Sequence, residues 1–221
     1  VTADRHAKLR AARLYLVCDT IGEDRLRAAL RGGVDLVQLR CKDASDDAIL
    51  AAARRFKAVL DPAGIPLIIN DRPDLAVAAD ADGAHIGQDD IPVAAARALL
   101  GSERILGLST HTPEQVDLVR PPAGDGGGGE IDYISVGPVN ATPTKPGRAP
   151  VGLDLVRYAA AHAPVPFFAI GGIDADNVGA VSRAGAERIA VVRAITEALD
   201  PERAARALRV RLEVPVGTAQ P

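Results

Sequence analysis

The chain has 221 residues, with 26 basic and 29 acidic side chains, a net charge of −3 and an aromatic content of 3%. That balance gives no electrostatic footprint for nucleic acid or an anionic membrane, and too few aromatics for base-stacking platforms. Two cysteines, Cys18 and Cys41, are too few for a disulfide framework or a zinc site and read as reduced, partly buried thiols. No apolar stretch reaches the length of a membrane span, and residues 1–13 lack the apolar core of a signal peptide. A soluble cytoplasmic protein is expected, with no nucleic-acid or membrane partner and with room for a homo-oligomer.

Residues 1–13 read as a short polar helix leading into the fold. From there, apolar runs of strand length alternate with Ala/Leu-rich amphipathic segments. In order they are Leu14–Cys18 then 23–31, Val34–Leu39 then 46–60, Pro66–Ile69 then 73–80, and Gly83–Ile86 then 92–100. They continue as Ile105–Leu108 then 113–119, Ile131–Val136 then 153–162, Pro166–Ile170 then 174–184, and Ile189–Val192 then 201–212. Such alternation predicts parallel strands joined by crossover helices. The nearly continuous apolar character of the runs suits strands covered on both faces. Eight units predict an α/β fold, a single (β/α)8 TIM barrel over residues 1–213 with a short N-terminal helix. An open doubly wound sheet competes, because the count includes two short strands. Asp74, after Pro73, and Pro92, after Ile91, mark helix starts.

Two stretches break the rhythm. Pro121–Glu130 is glycine-rich, falls between the fifth helix and the sixth strand, and reads as a flexible insertion at the lower rim without a catalytic role. Residues 137–150 form a long loop after the sixth strand, on the upper rim where binding loops lie. The tail, Val214–Pro221, reads as disordered.

The chemistry lies in polar clusters that follow the apolar runs. Gln38, Arg40 and Lys42 are spaced by two, so an extended strand end points all three the same way. Arg40 can hold two phosphate oxygens in its fork, Lys42 adds a point charge, and Gln38 offers a donor and an acceptor to a heterocycle edge. A solvated strand end is the bland alternative. Asp71 and Asp90 close the neighbouring third and fourth strands, so their carboxylates can converge. Two carboxylates with water and substrate phosphates suit Mg2+. Asp71 also fits a helix N-cap before Pro73, and Asp89 fits a capping or solvent role. Asn70 can bond a ring amine or a phosphate. Ser109 reads as a binding hydroxyl rather than a nucleophile, because no acid accompanies nearby His111. His111 reads as a loop or capping residue, and His85, inside the fourth strand, as a buried structural histidine. Thr142, Thr144 and Lys145 combine hydroxyls and a cation in a loop stiffened by Pro143 and Pro146, which suits phosphate but also an ordinary proline-rich loop. Gly171-Gly172, ahead of a helix at Asp174, and Val192-Arg193 stand where barrels place backbone N–H groups around phosphate.

Together these residues resemble the thiamine-phosphate synthase family. The motifs are Gln-Leu-Arg-x-Lys (38–42), Ile-Asn-Asp (69–71), His-Ile-Gly-Gln-x-Asp (85–90), Gly-x-Ser-x-His (107–111), Gly-Pro (137–138) with Thr-x-Thr-Lys (142–145), and Gly-Gly-Ile (171–173). The resemblance runs from about Leu14 to Ile195. It implies a transferase that couples hydroxymethylpyrimidine diphosphate to a thiazole phosphate, releasing pyrophosphate. It implies that Gln38, Arg40, Lys42, Asn70, Ser109 and Lys145 hold the pyrimidine diphosphate, with Arg40, Lys42 and Lys145 as catalytic electrostatic stabilisers. Asp71 and Asp90 would hold Mg2+, and Thr142, Thr144, Gly172, Val192 and Arg193 would face the thiazole phosphate. Cys41 stands where the family often has Glu, and its side chain is expected to alternate away from the cluster. Arg193 stands where Ser is common. A thiazole tautomerase of the same superfamily, or a non-catalytic phosphate-binding barrel, are the rival readings.

Overall fold

A computed structural model describes residues 2–119, 130–142 and 149–213, with the side chains of residues 5–212 in those ranges. Eight parallel strands close into a barrel in sequential order. They are β1 (Leu14–Cys18), β2 (Leu36–Leu39), β3 (Leu67–Asn70), β4 (Gly83–Ile86), β5 (Ile105–Thr110), β6 (Tyr133–Val136), β7 (Phe167–Ile170) and β8 (Ile189–Val191). The helices are α1 (Thr2–Ala11), α2 (Glu23–Arg31), α3 (Asp46–Leu60), α4 (Pro73–Ala78) and α5 (Val93–Leu100). They continue as α6 (Pro113–Asp117), α7 (Gly152–His162), α8 (Val178–Arg183), α9 (Arg193–Thr196) and α10 (Pro201–Glu213). The closed barrel is the architecture expected from the alternation, and β1 pairs with β8 from Leu14↔Ile189 to Leu16↔Val191.

Period-two alternation divides the strand residues between two cores. One set packs outward against the helices: Leu14 and Leu16 of β1, Val37 and Leu39 of β2, and Ile69 of β3 join Phe56 and Leu60 of α3 there. The other set fills the barrel interior: Tyr15, Val17, Leu36, Ile68, Ile105, Tyr133, Phe168 and Ala190 form a separate buried cluster with Leu9 and Ala12. The N-terminal segment therefore closes the lower end of the barrel.

A repeated device finishes that lower end. Asp35, Asp82 and Asp132 each precede an even-numbered strand and accept backbone N–H groups from the preceding strand's start: Leu14 (2.9 Å), Leu67 (2.9 Å) and Leu106 (2.7 Å). Each carboxylate also meets an arginine from a covering helix, namely Arg209 of α10, Arg5 of α1 and Arg97 of α5. These pairs satisfy strand-end donors that burial would otherwise leave unmet.

Some boundaries differ from the sequence reading. The segment expected to be helical from Asp174 starts at Val178, because the Asp174 carboxylate accepts the N–H groups of Asp176 and Asn177 and holds a turn instead. A short helix, α9, follows β8 directly and was absent from the periodic segments, being too short to show a period. The glycine-rich insertion 121–129, the loop tip 143–148 with Thr144 and Lys145, and the tail from Val214 lie outside the described residues. No described helix is long and apolar enough to cross a membrane.

Candidate active site

At the upper, C-terminal end of the barrel a cavity of about 800 Å3 opens among the strand ends. Gln38, Arg40, Lys42, Asn70, Asp71, Asp90, Ser109, Thr142, Gly172, Val192 and Arg193 all line it. The structure thus brings together every sequence-predicted site residue among those described. Cys41 is absent from this lining and packs against the outer core, as the alternation of an extended strand end requires.

The aspartates converge. Asp71 adopts φ 61°, a left-handed conformation that Asp tolerates better than most residues, and its N–H donates to the His85 carbonyl at 2.8 Å. Its carboxyl is pushed up to about 6, first by burial and then by the hydrogen bond and charge of Asp90; Lys42 and Asn70 act in the opposite direction. Gly87 N–H donates to Asp90 at 2.6 Å and fixes that side chain. Neither aspartate caps a helix: the N-cap positions of α4 and α5 are Arg72 and Pro92, with no side-chain cap bond. Asp89 likewise leaves α5 uncapped and stands exposed on the cavity rim. Two crowded carboxylates form an all-oxygen donor set whose repulsion a hard divalent cation relieves, so the residues fit Mg2+. Among the described residues no cluster of three or more His, Cys, Asp or Glu side chains offers a metal site. A cation here would rest on this pair plus water and phosphate oxygens.

Across the cavity, Arg40, Lys42 and Arg193 form no ion pair within 4 Å among the described residues. The opposite wall is built from glycines. Gly171 and Gly172 take φ of 106° and 58°, and a Cβ on Gly171 would lie 2.5 Å from Pro138. The Gly172 carbonyl accepts from Asn140 (3.1 Å) and Asn177 (2.7 Å), locking the loops after β6 and β7 together. Val192 is the N-cap of α9 and Arg193 its first residue.

Ser109 lies within β5 rather than beyond its end, and is buried. Its imidazole neighbour is His85, with Nε2 3.0 Å from Ser109 Oγ. His111 instead bonds the Gly137 carbonyl through Nδ1, and its N–H donates to Gln115 at 2.7 Å. The other nitrogen of His85 meets the Tyr133 hydroxyl at 3.0 Å, not a carboxylate. Among the described residues neither ring nitrogen of His85 bonds a carboxylate of the kind that orients a catalytic base.

The cavity floor holds residues that the sequence reading did not single out. Tyr15 and Tyr133 join Gln38, His85 and Ser109 in one buried polar network, with Ser135 beside it at 3.4 Å from Ser109. Tyr15 and Tyr133 stand in apolar strands and read as core aromatics. Only the parity they share with Gln38 and Ser109 along their strands could have placed them inside.

A sequence profile described as thiamine monophosphate synthase matches residues 14–195. A thiamine-phosphate synthase of Thermosynechococcus vestitus is 47% identical over 94% of this chain, which spans 58% of that protein. The chain therefore covers a little more than half the length of the first curated relatives it matches. A thiamine-phosphate synthase of Saccharopolyspora erythraea is 46% identical, with 93% of this chain and 95% of the relative covered. Among solved structures, a thiamine phosphate pyrophosphorylase from Pyrococcus furiosus superposes with a TM-score of 0.80 at 29% identity, covering 94% of this chain and 97% of that one. With the profile spanning most of the barrel and identities near one half, this chain belongs to the thiamine monophosphate synthase family.

Proposed function

We propose that the chain is a thiamine-phosphate synthase, coupling hydroxymethylpyrimidine diphosphate to hydroxyethylthiazole phosphate with Mg2+ held by Asp71 and Asp90. The observation that carries this reading is the gathering, in one cavity, of two crowded carboxylates with Arg40, Lys42 and Arg193, which form no ion pair within 4 Å among the described residues. Such an arrangement suits a diphosphate and its metal.

In this reading the C–O bond between the pyrimidine methylene and the diphosphate breaks, and its electrons leave with the diphosphate. The electron-rich aminopyrimidine supports the cation that remains. The thiazole nitrogen then forms the new C–N bond with its lone pair, so no enzyme nucleophile is needed. Arg40 and Lys42, with Lys145 from the loop tip, stabilise the departing charge. Each such contact contributes about 3–4 kcal/mol on the scale of one oxyanion-hole donor. Bound Mg2+ would supply further neutralisation of the diphosphate. Gln38 and Asn70 orient the pyrimidine. Gly172, Val192 and Arg193, with Thr142 and Thr144, receive the thiazole phosphate. The loop 137–150 excludes water, which would otherwise quench the cation to an alcohol.

The test is formation of thiamine phosphate and pyrophosphate from the two purified substrates, with Mg2+ and with chelator. Product that requires metal supports both the reaction and the aspartate pair. Product unaffected by chelator keeps the reaction and removes the metal site. No product from folded protein turns the reading toward a tautomerase or a binding barrel.

A further inference from the structure

A chain of short hydrogen bonds runs beneath the cavity from β2 to β5. Gln38 Nε2 donates to the Tyr15 hydroxyl (2.6 Å), which lies 2.8 Å from the Tyr133 hydroxyl. Tyr133 lies 3.0 Å from His85 Nδ1, and His85 Nε2 lies 3.0 Å from Ser109 Oγ. Ser135 stands 3.4 Å from both His85 Nε2 and Ser109 Oγ, beyond good hydroxyl bonding range, and is a bystander. The two ends, Gln38 and Ser109, line the cavity.

We propose that Tyr15, Tyr133 and His85 form a directional relay that ties the hydrogen-bonding polarity of Gln38 to that of Ser109, and so selects ligands with a donor at the Gln38 end and an acceptor at the Ser109 end. The inference rests on the proposed function for the identity of the ligand, but not for the relay itself.

The argument is a count of protons. Each phenol has one proton to give, and a neutral imidazole has one donor and one acceptor nitrogen. Burial pushes both phenols well above their ordinary range, so both keep their protons. With His85 taken as neutral, which is part of the proposal, the three relays hold three protons for four bonds. The fourth proton must come from one end, and from one end alone. When Gln38 donates, Tyr15 passes its proton to Tyr133, Tyr133 to His85 Nδ1, and His85 Nε2–H to Ser109. Gln38 then offers Oε1 to the cavity and Ser109 offers its own proton. When Ser109 donates, every bond reverses, and Gln38 offers its NH2 while Ser109 offers only lone pairs. Mixed states leave a buried group unpaired, which is costly in a low-dielectric interior.

The structure has the first direction, with Gln38 donating to Tyr15. Gln38 lines the cavity and spends its Nε2 on Tyr15, which leaves Oε1 as the acceptor for a ligand. An exocyclic ring amine satisfies that acceptor, and a diphosphate oxygen accepts the Ser109 proton. An aminopyrimidine diphosphate carries both. Packing keeps the relay in place: Tyr15, Tyr133 and Phe168 meet edge to face with centroids 5.2–5.9 Å apart. A Cβ on Gly107 would lie 2.2 Å from Tyr133 and 2.5 Å from His85, so glycine there makes the room they occupy.

The test has a ligand-free arm and a ligand arm on the full chain. First, 15N chemical shifts of the His85 ring report which nitrogen carries the proton. The wild type is expected to carry it on Nε2. Gln38→Glu, at a pH where the new carboxyl is ionised, offers acceptors only and moves the proton to Nδ1. With Tyr133→Phe in the background, the tautomer no longer follows residue 38. An identical tautomer in wild type and Gln38→Glu overturns the relay. Second, binding is compared for hydroxymethylpyrimidine diphosphate and its analogue with an oxo group replacing the ring amine. The wild type prefers the amine by about tenfold or more, the scale of one mispaired buried group. Tyr133→Phe brings the two within about threefold, because Gln38 becomes free to turn. Equal weakening of both ligands, with the preference kept, shows a merely structural tyrosine and overturns the proposal. If neither ligand binds, the functional reading fails while the tautomer arm still judges the relay. If Gln38→Glu does not fold, the wild type decides: the oxo analogue shifts the His85 proton to Nδ1 and the amine does not.

Discussion

At the lower rim, Asp132 accepts the Leu106 N–H at 2.7 Å and pairs with Arg97 at 2.7 Å, while Asp82 pairs with Arg5 at 2.9 Å. Asp35 meets Arg209 and two backbone N–H groups, although burial still pushes its carboxyl above the ordinary range. At the upper rim the pattern inverts. Arg40, Lys42 and Arg193 reach the cavity without an ion pair among the described residues, and Asp71 is crowded by Asp90. Opposite charges occur at both ends; around the upper rim Arg72 pairs with Asp46 (2.5 Å) and Asp74 (2.6 Å), but among the described residues the cations that line the cavity form no such pair. Charge neutralised within the protein contributes to stability. In the proposed function, charge left facing the cavity serves the ligand, the division expected between the two faces of such a barrel.

The contrast can be broken or sharpened in order of expected effect. Removing divalent metal with chelator is expected to abolish coupling activity, and added Mg2+ to restore it, with thermal unfolding of the apo chain little changed. Arg40→Ala should lower kcat/KM about 100-fold or more, the loss associated with one charge-stabilising donor, while urea unfolding stays at the wild-type midpoint. Asp132→Ala should do the reverse. It leaves Arg97 and the Leu106 N–H without their partner, costs about 3 kcal/mol or more in urea unfolding, and leaves the turnover of folded molecules unchanged. Asp71→Ala, or Lys145→Ala, should lower turnover at least tenfold (about 1.4 kcal/mol of barrier) without unfolding the chain; near-normal turnover in both sinks the site assignment. Arg13→Ala removes an exposed lower-rim pair with Glu187, whose side chains are 40% and 66% exposed. Its effect should stay below about 0.5 kcal/mol, which separates buried lower-rim pairs from surface ones.

Much of this is legible in the sequence alone. The strand runs carried their own signal, because a strand buried on both faces must be apolar throughout, and its polar residues can appear only where it ends. That is why Arg40, Lys42, Asp71, Asp90 and Gly171-Gly172 stood out. The relay did not. Tyr15 and Tyr133 lie in different strands, far apart in the chain, and a tyrosine in an apolar run reads as packing. His85 and Ser109 were seen singly, and the expected histidine neighbour of Ser109 was His111, two residues away in sequence. Barrel closure put His85 there instead, through the β4–β5 register His85↔Gly107.

The sequence by itself determined the alternation, the number of units and which residues gather at the upper rim, because periodicity and strand ends are local properties of the chain. Only the tertiary structure decided which of those residues face one another. The crowding of Asp71 against Asp90, the lower-rim carboxylates that receive strand-end N–H groups, and the hydrogen-bonded path from Gln38 to Ser109 all depend on how neighbouring strands are staggered. Stagger follows from closing eight tilted strands into one ring, a condition on the whole barrel that no single segment carries.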